Sequence, residues 1–197
     1  PMNSWWKFVD GANWQQPQGP GSNIVGLEQH PVVHIAYEDA QAYAQWKGHS
    51  LPTEQQYEFA AQSSSRKNAT GGHISNTWQG FFPFENDPVD GYIGSAPVGC
   101  YSGNELGLYD LIGNVWEWTS SPYYQGHDYA DKTSHPLGYD PEQPEEIAVA
   151  VIKGGSFLCA PNYCMRYRPE ARQGQSQGLG TSHIGFRTVL DVPATSN

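Results

Sequence analysis

Gly113-Asn114-Val115-Trp116-Glu117-Trp118-Thr119 is the densest stretch of the chain. Gly113 and Asn114 are turn-formers. Val115 to Thr119 then reads as a short strand with Trp116 and Trp118 on one face. Upstream, Gly107-Leu108-Tyr109-Asp110-Leu111-Ile112 leads into it. Downstream, Tyr123 to Glu146 carries Pro136, Pro141 and Pro144 and reads as an exposed acidic loop. Ile147 to Lys153 is β-branched and reads as a buried strand, followed by Gly154-Gly155-Ser156. Ile184 to Leu190 reads as the last strand. Toward the N-terminus, His30 to Tyr37 reads as a strand after a Pro- and Gly-rich loop. A helix is expected over Glu38 to Lys47, with Ala40, Tyr43 and Ala44 on one face and Gly48 as its stop. Thr53 and Gln56 have capping-box spacing and open a second helix. Tyr57, Ala60 and Ala61 would be its buried face, and Ser63-Ser64-Ser65 its end.

The composition agrees with short elements joined by long irregular segments. Among 197 residues there are 22 Gly and 15 Pro, and aromatics reach 13%. Charged residues are only 15%, against about 25% in an average domain. This describes one loop-rich domain packed on aromatic side chains. The net charge of −10 argues against a nucleic-acid or anionic-membrane binder, since neutralising phosphates takes clustered Lys and Arg. No apolar run approaches the roughly 18 residues of a membrane-spanning helix. The start, Pro1-Met2-Asn3-Ser4-Trp5-Trp6, has neither the basic nor the apolar region of a signal peptide, and is expected to belong to a fragment or a processed chain.

Three segments carry candidate chemistry. Cys159 and Cys164 are separated by four residues, which lets two thiols meet in a turn. They admit three readings: a buried or disulfide-linked pair, a redox pair, or a two-thiolate site for a soft metal such as Cu(I). Spacing alone does not choose among them. Asp110 and Glu117 flank Gly113-Asn114, and Asn76 and Asp90 lie in a similar setting. Carboxylates mixed with turn carbonyls suit Ca²⁺, and equally suit turns bonded to their own backbone. Arg166, Arg168, Arg172 and Arg187 read either as partners of the acidic remainder or as an anion or peptide contact beside the cysteines. His30 and His34 are a minor metal candidate, and Asn68-Ala69-Thr70 matches a glycosylation acceptor.

Taken in order, several blocks resemble the formylglycine-generating enzyme, or sulfatase-modifying factor, family. They are Trp5-Trp6 with Gly11-Ala12-Asn13-Trp14, His30-Pro31-Val32-Val33-His34, Leu51-Pro52-Thr53-Glu54, and Asn76-Thr77-Trp78-Gln79-Gly80. They continue with Gly107-Leu108-Tyr109-Asp110, Gly113 to Trp118, Gly154-Gly155-Ser156, Arg166-Tyr167-Arg168, and His183-Ile184-Gly185-Phe186-Arg187. The Gly-Asn-Val-Trp-Glu-Trp and Gly-Gly-Ser blocks mark the broad superfamily, which includes inactive paralogues, binding modules and iron-dependent relatives. The Cys159 and Cys164 pair is narrower and resembles the catalytic pair of the oxygen-dependent enzyme.

The resemblance implies an α+β fold over 1–197, poor in regular structure and distantly like C-type lectins. It implies oxidation of a cysteine in a Cys-x-Pro-x-Arg segment of an unfolded sulfatase to Cα-formylglycine, using O₂ and Cu(I). Cys159 and Cys164 would hold the copper, with Ser156 and Trp116 beside it. Tyr163 and His183 would lie near the peptide cleft. Two Ca²⁺ sites are implied, at Asn76, Thr77, Asp90 and Tyr92, and at Asp110, Gly113, Val115 and Glu117. A monomer is expected, without nucleic acid or membrane as partner. The bacterial cytoplasm is the expected compartment, with the endoplasmic reticulum or secretion as alternatives. The chain departs from the family pattern in four places. The family's N-terminal portion is absent, the stretch between Gln62 and Gly71 is short, Gly178 replaces a frequent acidic residue, and Cys100 has no counterpart. An inactive Ca²⁺-stabilised binding module of the same fold is the alternative function. A non-haem iron relative would need clustered histidines, which the sequence lacks.

Overall fold

The computed structural model describes residues 6–62, 64, 73–125 and 134–192. The Asn68-Ala69-Thr70 acceptor, Trp5, and Ser63 and Ser65 of the helix end lie outside the described residues. Two helices and four strands form in the order α1 (Tyr37–Trp46), α2 (Glu54–Ala61), β1 (Trp116–Pro122), β2 (Val149–Lys153), β3 (Arg172–Ser176) and β4 (Ile184–Phe186). No described helix is long and apolar enough to cross a membrane.

The strands make one mixed sheet in the order β3-β2-β1-β4. β1 runs antiparallel to β2 and parallel to β4, and β2 runs antiparallel to β3. Register places Trp118 against Ile152 and Phe186, and Trp116 against Ile184. It places Glu117 against Lys153, and Lys153 against Arg172. Since side chains alternate along a strand, these rows lie on opposite faces. One face is apolar. Its Trp116, Trp118, Ile152 and Ile184 pack with Ile35, Leu51, Cys159 and the α1 residues Ala40 and Ala44. The indole of Trp118 donates to the Ile35 carbonyl at 2.9 Å, which satisfies its buried N–H.

The other face is charged, and α2 covers it. Lys153, wholly buried, pairs with Glu58 at 2.7 Å and with Glu54 at 3.8 Å. Arg172 grips both oxygens of Glu54, at 2.7 and 3.1 Å. Arg187 does the same to Glu117. Tyr57, Ala61 and Leu111 make a small second core beside them.

The capping box of α2 forms as expected. Gln56 N–H donates to the Thr53 hydroxyl at 3.1 Å, and Thr53 N–H donates to the Gln56 side chain at 2.8 Å. α1 is shifted by one residue, with Lys47 as its cap and Gly48 left-handed at φ 70°. Tyr43 is exposed rather than buried; its ring leans on Phe186 and Trp46 instead. The expected strand over His30 to Tyr37 does not form. Pro31 supplies no donor, and His34 turns left-handed at φ 57°. The last strand stops at Phe186, because Arg187 swings to Glu117. β3 is a strand that the hydrophobic pattern does not announce: Arg-Gln-Gly-Gln-Ser is polar throughout and only half-buried.

Candidate active site

β2 ends in a turn that only glycine can make. Gly154 and Gly155 have φ of 91° and 75°. A Cβ on Gly154 would sit 2.6 Å from the Tyr57 hydroxyl, and one on Gly155 would sit 3.0 Å from the Arg166 carbonyl. The turn reverses the chain and carries Ser156, fully buried, to the apolar side. The Ser156 carbonyl accepts from Cys159 N–H at 2.9 Å, and its own N–H lies 3.4 Å from the Cys159 sulfur. Cys164 N–H donates to the Ala160 carbonyl at 3.0 Å, closing the loop.

The two sulfurs thereby come within 2.9 Å of each other. This is longer than the roughly 2.05 Å of a disulfide, and both cysteines are free. Cys159 is 1% exposed, while Cys164 is half-buried. The hydrogen bond to Cys164, then burial, pushes the Cys159 thiol up. The same hydrogen bond lowers Cys164 to about 7, helped by the Arg166 backbone and guanidinium and opposed by burial. The shared hydrogen bond thus makes Cys164 the sulfur that ionises first, and the thiolate is the reactive form of the side chain.

The other expected site residues divide into two groups. Ser156, Cys159, Tyr163 and Cys164 share one loop, and Trp116 lies in the same core cluster as Cys159. The exposed ring of Tyr163 stacks on Phe82, with centroids 4.4 Å apart. His183 is tied to this group only through its backbone, its carbonyl accepting from Trp116 N–H at 2.8 Å. Its ring meets the Thr181 hydroxyl at 2.7 Å and the Trp6 ring at 5.0 Å. Burial, then His34, lowers His183 to about 4, so the ring is neutral. His30 and His34 do not converge: one meets Ser95, the other the Pro17 carbonyl.

The two oxygen-rich sets are neighbours. Asn114 N–H donates to the Asn76 carbonyl at 2.7 Å, and a Cβ on Gly113 would sit 2.3 Å from that oxygen. In the first set, Asp90 Oδ1 accepts from Tyr92 N–H at 3.0 Å, while its buried Oδ2 has no hydrogen-bond partner among the described residues. A buried carboxylate oxygen without a donor calls for a cation, and carboxylate with carbonyl oxygens is a hard-cation donor set. In the second set, Asp110 Oδ2 accepts from Gly99 N–H at 2.7 Å, and Glu117 already faces Arg187. Among the described residues that set has no buried side-chain oxygen lacking a hydrogen-bond partner, and a guanidinium already balances one of its two carboxylates. Among the described residues, no three His, Cys, Asp or Glu side chains converge, so carbonyls must complete any hard-cation site. The two sulfurs, a soft donor pair with Cys164 partly open to solvent, suit a soft metal.

Sequence reasoning misses several supports of the site. Three of the four clustered arginines pair with carboxylates: Arg168 with Glu170, Arg172 with Glu54, and Arg187 with Glu117. Arg166 differs, since it meets Gln173 and lies beside Cys164. The Asn114 carboxamide bridges both backbone groups of Ala96, at 2.9 and 3.1 Å. Asn162 does the same to Phe82. The one sequence signal for such roles is an Asn inside an apolar or Gly-rich turn.

The chain resembles known proteins over nearly its whole length. Residues 2–192 match the family model of the Sulfatase-modifying factor enzyme 1-like domain. The chain is 44% identical over 202 residues to a formylglycine-generating enzyme of Mycobacterium tuberculosis, covering 95% of this chain and 66% of that protein. It is 42% identical over 200 residues to that of Thermomonospora curvata, covering 97% and 65%. A protein of Bos taurus named as an inactive Cα-formylglycine-generating enzyme 2 is 35% identical, covering 93% of this chain and 58% of that one. The chain thus spans about two thirds of the length of these bacterial relatives. Among solved structures, PvdO from Pseudomonas aeruginosa superposes with a TM-score of 0.58 at 22% identity, over 81% of this chain and 61% of that one. That likeness concerns the fold.

Proposed function

The chain belongs to the sulfatase-modifying factor enzyme 1-like family, and from that premise we propose that it oxidises a cysteine of a Cys-x-Pro-x-Arg sulfatase segment to Cα-formylglycine. The observation that carries this reading is the pair of free sulfurs 2.9 Å apart, one buried and one half-exposed. A pure binding module has no need of two adjoining free thiols.

Cys159 and Cys164 would hold Cu(I), which when bound supplies the means of using O₂ as oxidant. Every other task falls to the chain. Cys164 offers a thiolate near neutral pH. Cys159 is the harder of the two to ionise, and its proton must leave when both sulfurs bind a metal. The buried surroundings of Cys159, including Trp116, keep water from its side of the site. The substrate polypeptide, unfolded so that its cysteine can reach the site, would approach from the open side of Cys164. There the exposed Tyr163 ring offers it a flat apolar surface. His183, neutral and anchored, would line the cleft and not act as an acid at pH 7. A hard cation such as Ca²⁺ would sit at Asn76, Thr77, Asp90 and Tyr92, where Asp90 Oδ2 waits for a charge. A second at Asp110, Gly113, Val115 and Glu117 would have to share Glu117 with Arg187.

The test is a mass spectrum of a Cys-x-Pro-x-Arg peptide after incubation with the chain, Cu(I) and O₂. An aldehyde that appears only with copper supports the reading. Cys159→Ser and Cys164→Ser should each abolish copper binding and product while the fold persists. Copper bound without product would leave the site but remove the proposed activity. Neither copper nor product would favour the inactive module, as the name of the Bos taurus relative would suggest.

A further inference from the structure

The loop that brings the sulfurs together has little to hold its tip. Within it, Tyr163 and Cys164 N–H groups both reach back to the Ala160 carbonyl, at 3.2 and 3.0 Å. Residues 161–163 are exposed. A turn of this kind, left to itself, samples many separations of its ends, because fixing each residue's backbone costs about 1–2 kcal/mol. The sulfur-to-sulfur distance therefore needs an outside anchor.

That anchor is the segment from Trp78 to Phe82. Trp78 N–H donates to the Cys159 carbonyl at 3.1 Å, at the start of the loop. At the tip, the Asn162 carboxamide makes two bonds to one residue. Its Nδ2 donates to the Phe82 carbonyl at 2.9 Å, and its Oδ1 accepts from Phe82 N–H at 3.2 Å. Tyr163 lays its ring parallel on Phe82, and Trp78 closes on the same ring edge-on at 4.8 Å. Phe82 itself is buried. Asn162 thus ties the exposed end of the cysteine loop to the backbone of a buried residue, across 80 residues of sequence.

We propose that Asn162 is a positioning residue, whose paired hydrogen bonds to Phe82 set the separation of the Cys159 and Cys164 sulfurs and so their strength as a two-sulfur ligand. This rests on the copper reading above, but not on turnover. Chelation by two thiolates gains from holding the second one near the first, as an effective concentration does. Releasing the clasp loosens that hold without opening the core, because Asn162 is exposed. Asn is suited to the role, since only a carboxamide offers a donor and an acceptor side by side to one backbone residue. An aspartate there would keep the acceptor for Phe82 N–H and lose the donor.

The test compares wild type, Asn162→Ala and Asn162→Asp by three measurements. Cu(I) affinity is read by competition with a chromophoric Cu(I) chelator. The Cys159–Cys164 thiol–disulfide equilibrium is read against a glutathione buffer. Global stability is read by urea unfolding. We expect Asn162→Ala to weaken Cu(I) binding about tenfold, to disfavour the disulfide to a similar extent, and to leave the urea midpoint unchanged. Asn162→Asp should fall between. Variants matching wild type in both sulfur readouts would overturn the proposal. A loss of affinity that merely follows a loss of global stability would overturn it too, by assigning Asn162 to folding. A wild-type chain that binds Cu(I) but makes no formylglycine defeats the activity reading alone, and leaves these comparisons standing.

Discussion

Removing Glu54 should cost far more stability than removing Lys153, although Lys153 is the more deeply buried. Lys153 is 0% exposed, Glu54 is 9% and Arg172 is 16%, while Glu58 is 35% exposed. Glu54→Gln removes the carboxylate that Arg172 holds at 2.7 Å and leaves Lys153 its contact with Glu58. Lys153 then faces one half-exposed anion, and Arg172 loses the carboxylate that it grips at both oxygens. Breaking a buried pair in this way costs about 3–5 kcal/mol. In a chain of this size that is roughly 6–20 °C in Tm, at about 2–4 °C per kcal/mol. Glu58→Gln leaves Lys153 to Glu54 at 3.8 Å, an imperfect contact, and should cost about 1–3 kcal/mol. Lys153→Met keeps the aliphatic stem. It leaves Glu54 gripped by Arg172, and Glu58 free to hydrate. Replacing the charge by an apolar residue of similar volume should then cost only about 0–2 kcal/mol. The assay is urea unfolding of the three variants at pH 7, compared at a common m-value. If Lys153→Met proves more damaging than Glu54→Gln, Glu54 is not the hub of this network and the ranking by residual partner is wrong.

Four further outcomes follow from the site. In metal-free protein, iodoacetamide should modify Cys164 with a midpoint near pH 7, while Cys159 stays protected; equal rates at both sulfurs would contradict the shared-proton arrangement. His183 is lowered to about 4 from 6.5, so the unfolded chain takes up its proton first. Stability should fall as pH drops from about 6.5 to 4, and His183→Gln should flatten that part of the urea profile. Gly154→Ala combines a φ of 91° with a Cβ 2.6 Å from the Tyr57 hydroxyl and should cost about 2–4 kcal/mol; adding Tyr57→Phe should recover part of it, measured by thermal unfolding. Finally, Ca²⁺ should raise Tm by several degrees in wild type, and Asp90→Asn, read by the same melt, should abolish that rise.

What the sequence made legible was set by local physics. The Thr53 and Gln56 cap is a contact between neighbours, so spacing reveals it. The alternation Trp116-Glu117-Trp118 gives a strand with unlike faces, and the β-branched run to Lys153 gives a buried one. The Gly154-Gly155 turn shows itself because both glycines are needed. What stayed hidden was non-local. β3 is a strand because Lys153 to Val149 offers it a ladder, not because Arg172 to Ser176 prefers one. Lys153 looks like an ordinary strand end until Glu54 and Glu58, about 95 residues away, arrive on α2. Tyr43 fits a helical stripe, yet the core cover of α1 is supplied by Ala40 and Ala44, with Tyr37 edge-on to Trp118. The sulfur pair could be named as a pair from its spacing, but not as free, unequal thiols. That distinction needs the burial of Cys159 and the fold around it.

β2 is where these two kinds of information meet. Its Ile152 belongs to the apolar face, and its Lys153 to the charged one. The next two residues must therefore turn the chain without a side chain to pack on either, and glycine is the residue that can. Were Lys153 apolar, α2 would have no specific partner to fix its position over the sheet, although burial alone would favour it. Were Gly154 any other residue, its Cβ would press on Tyr57, which holds Leu111 at 3.0 Å beside the Glu117 and Arg187 pair. The charged face thus fixes where the turn begins, and the apolar face fixes where Cys159 ends. The separation of the sulfurs follows from both, with the clasp at Asn162 closing the side that neither face reaches.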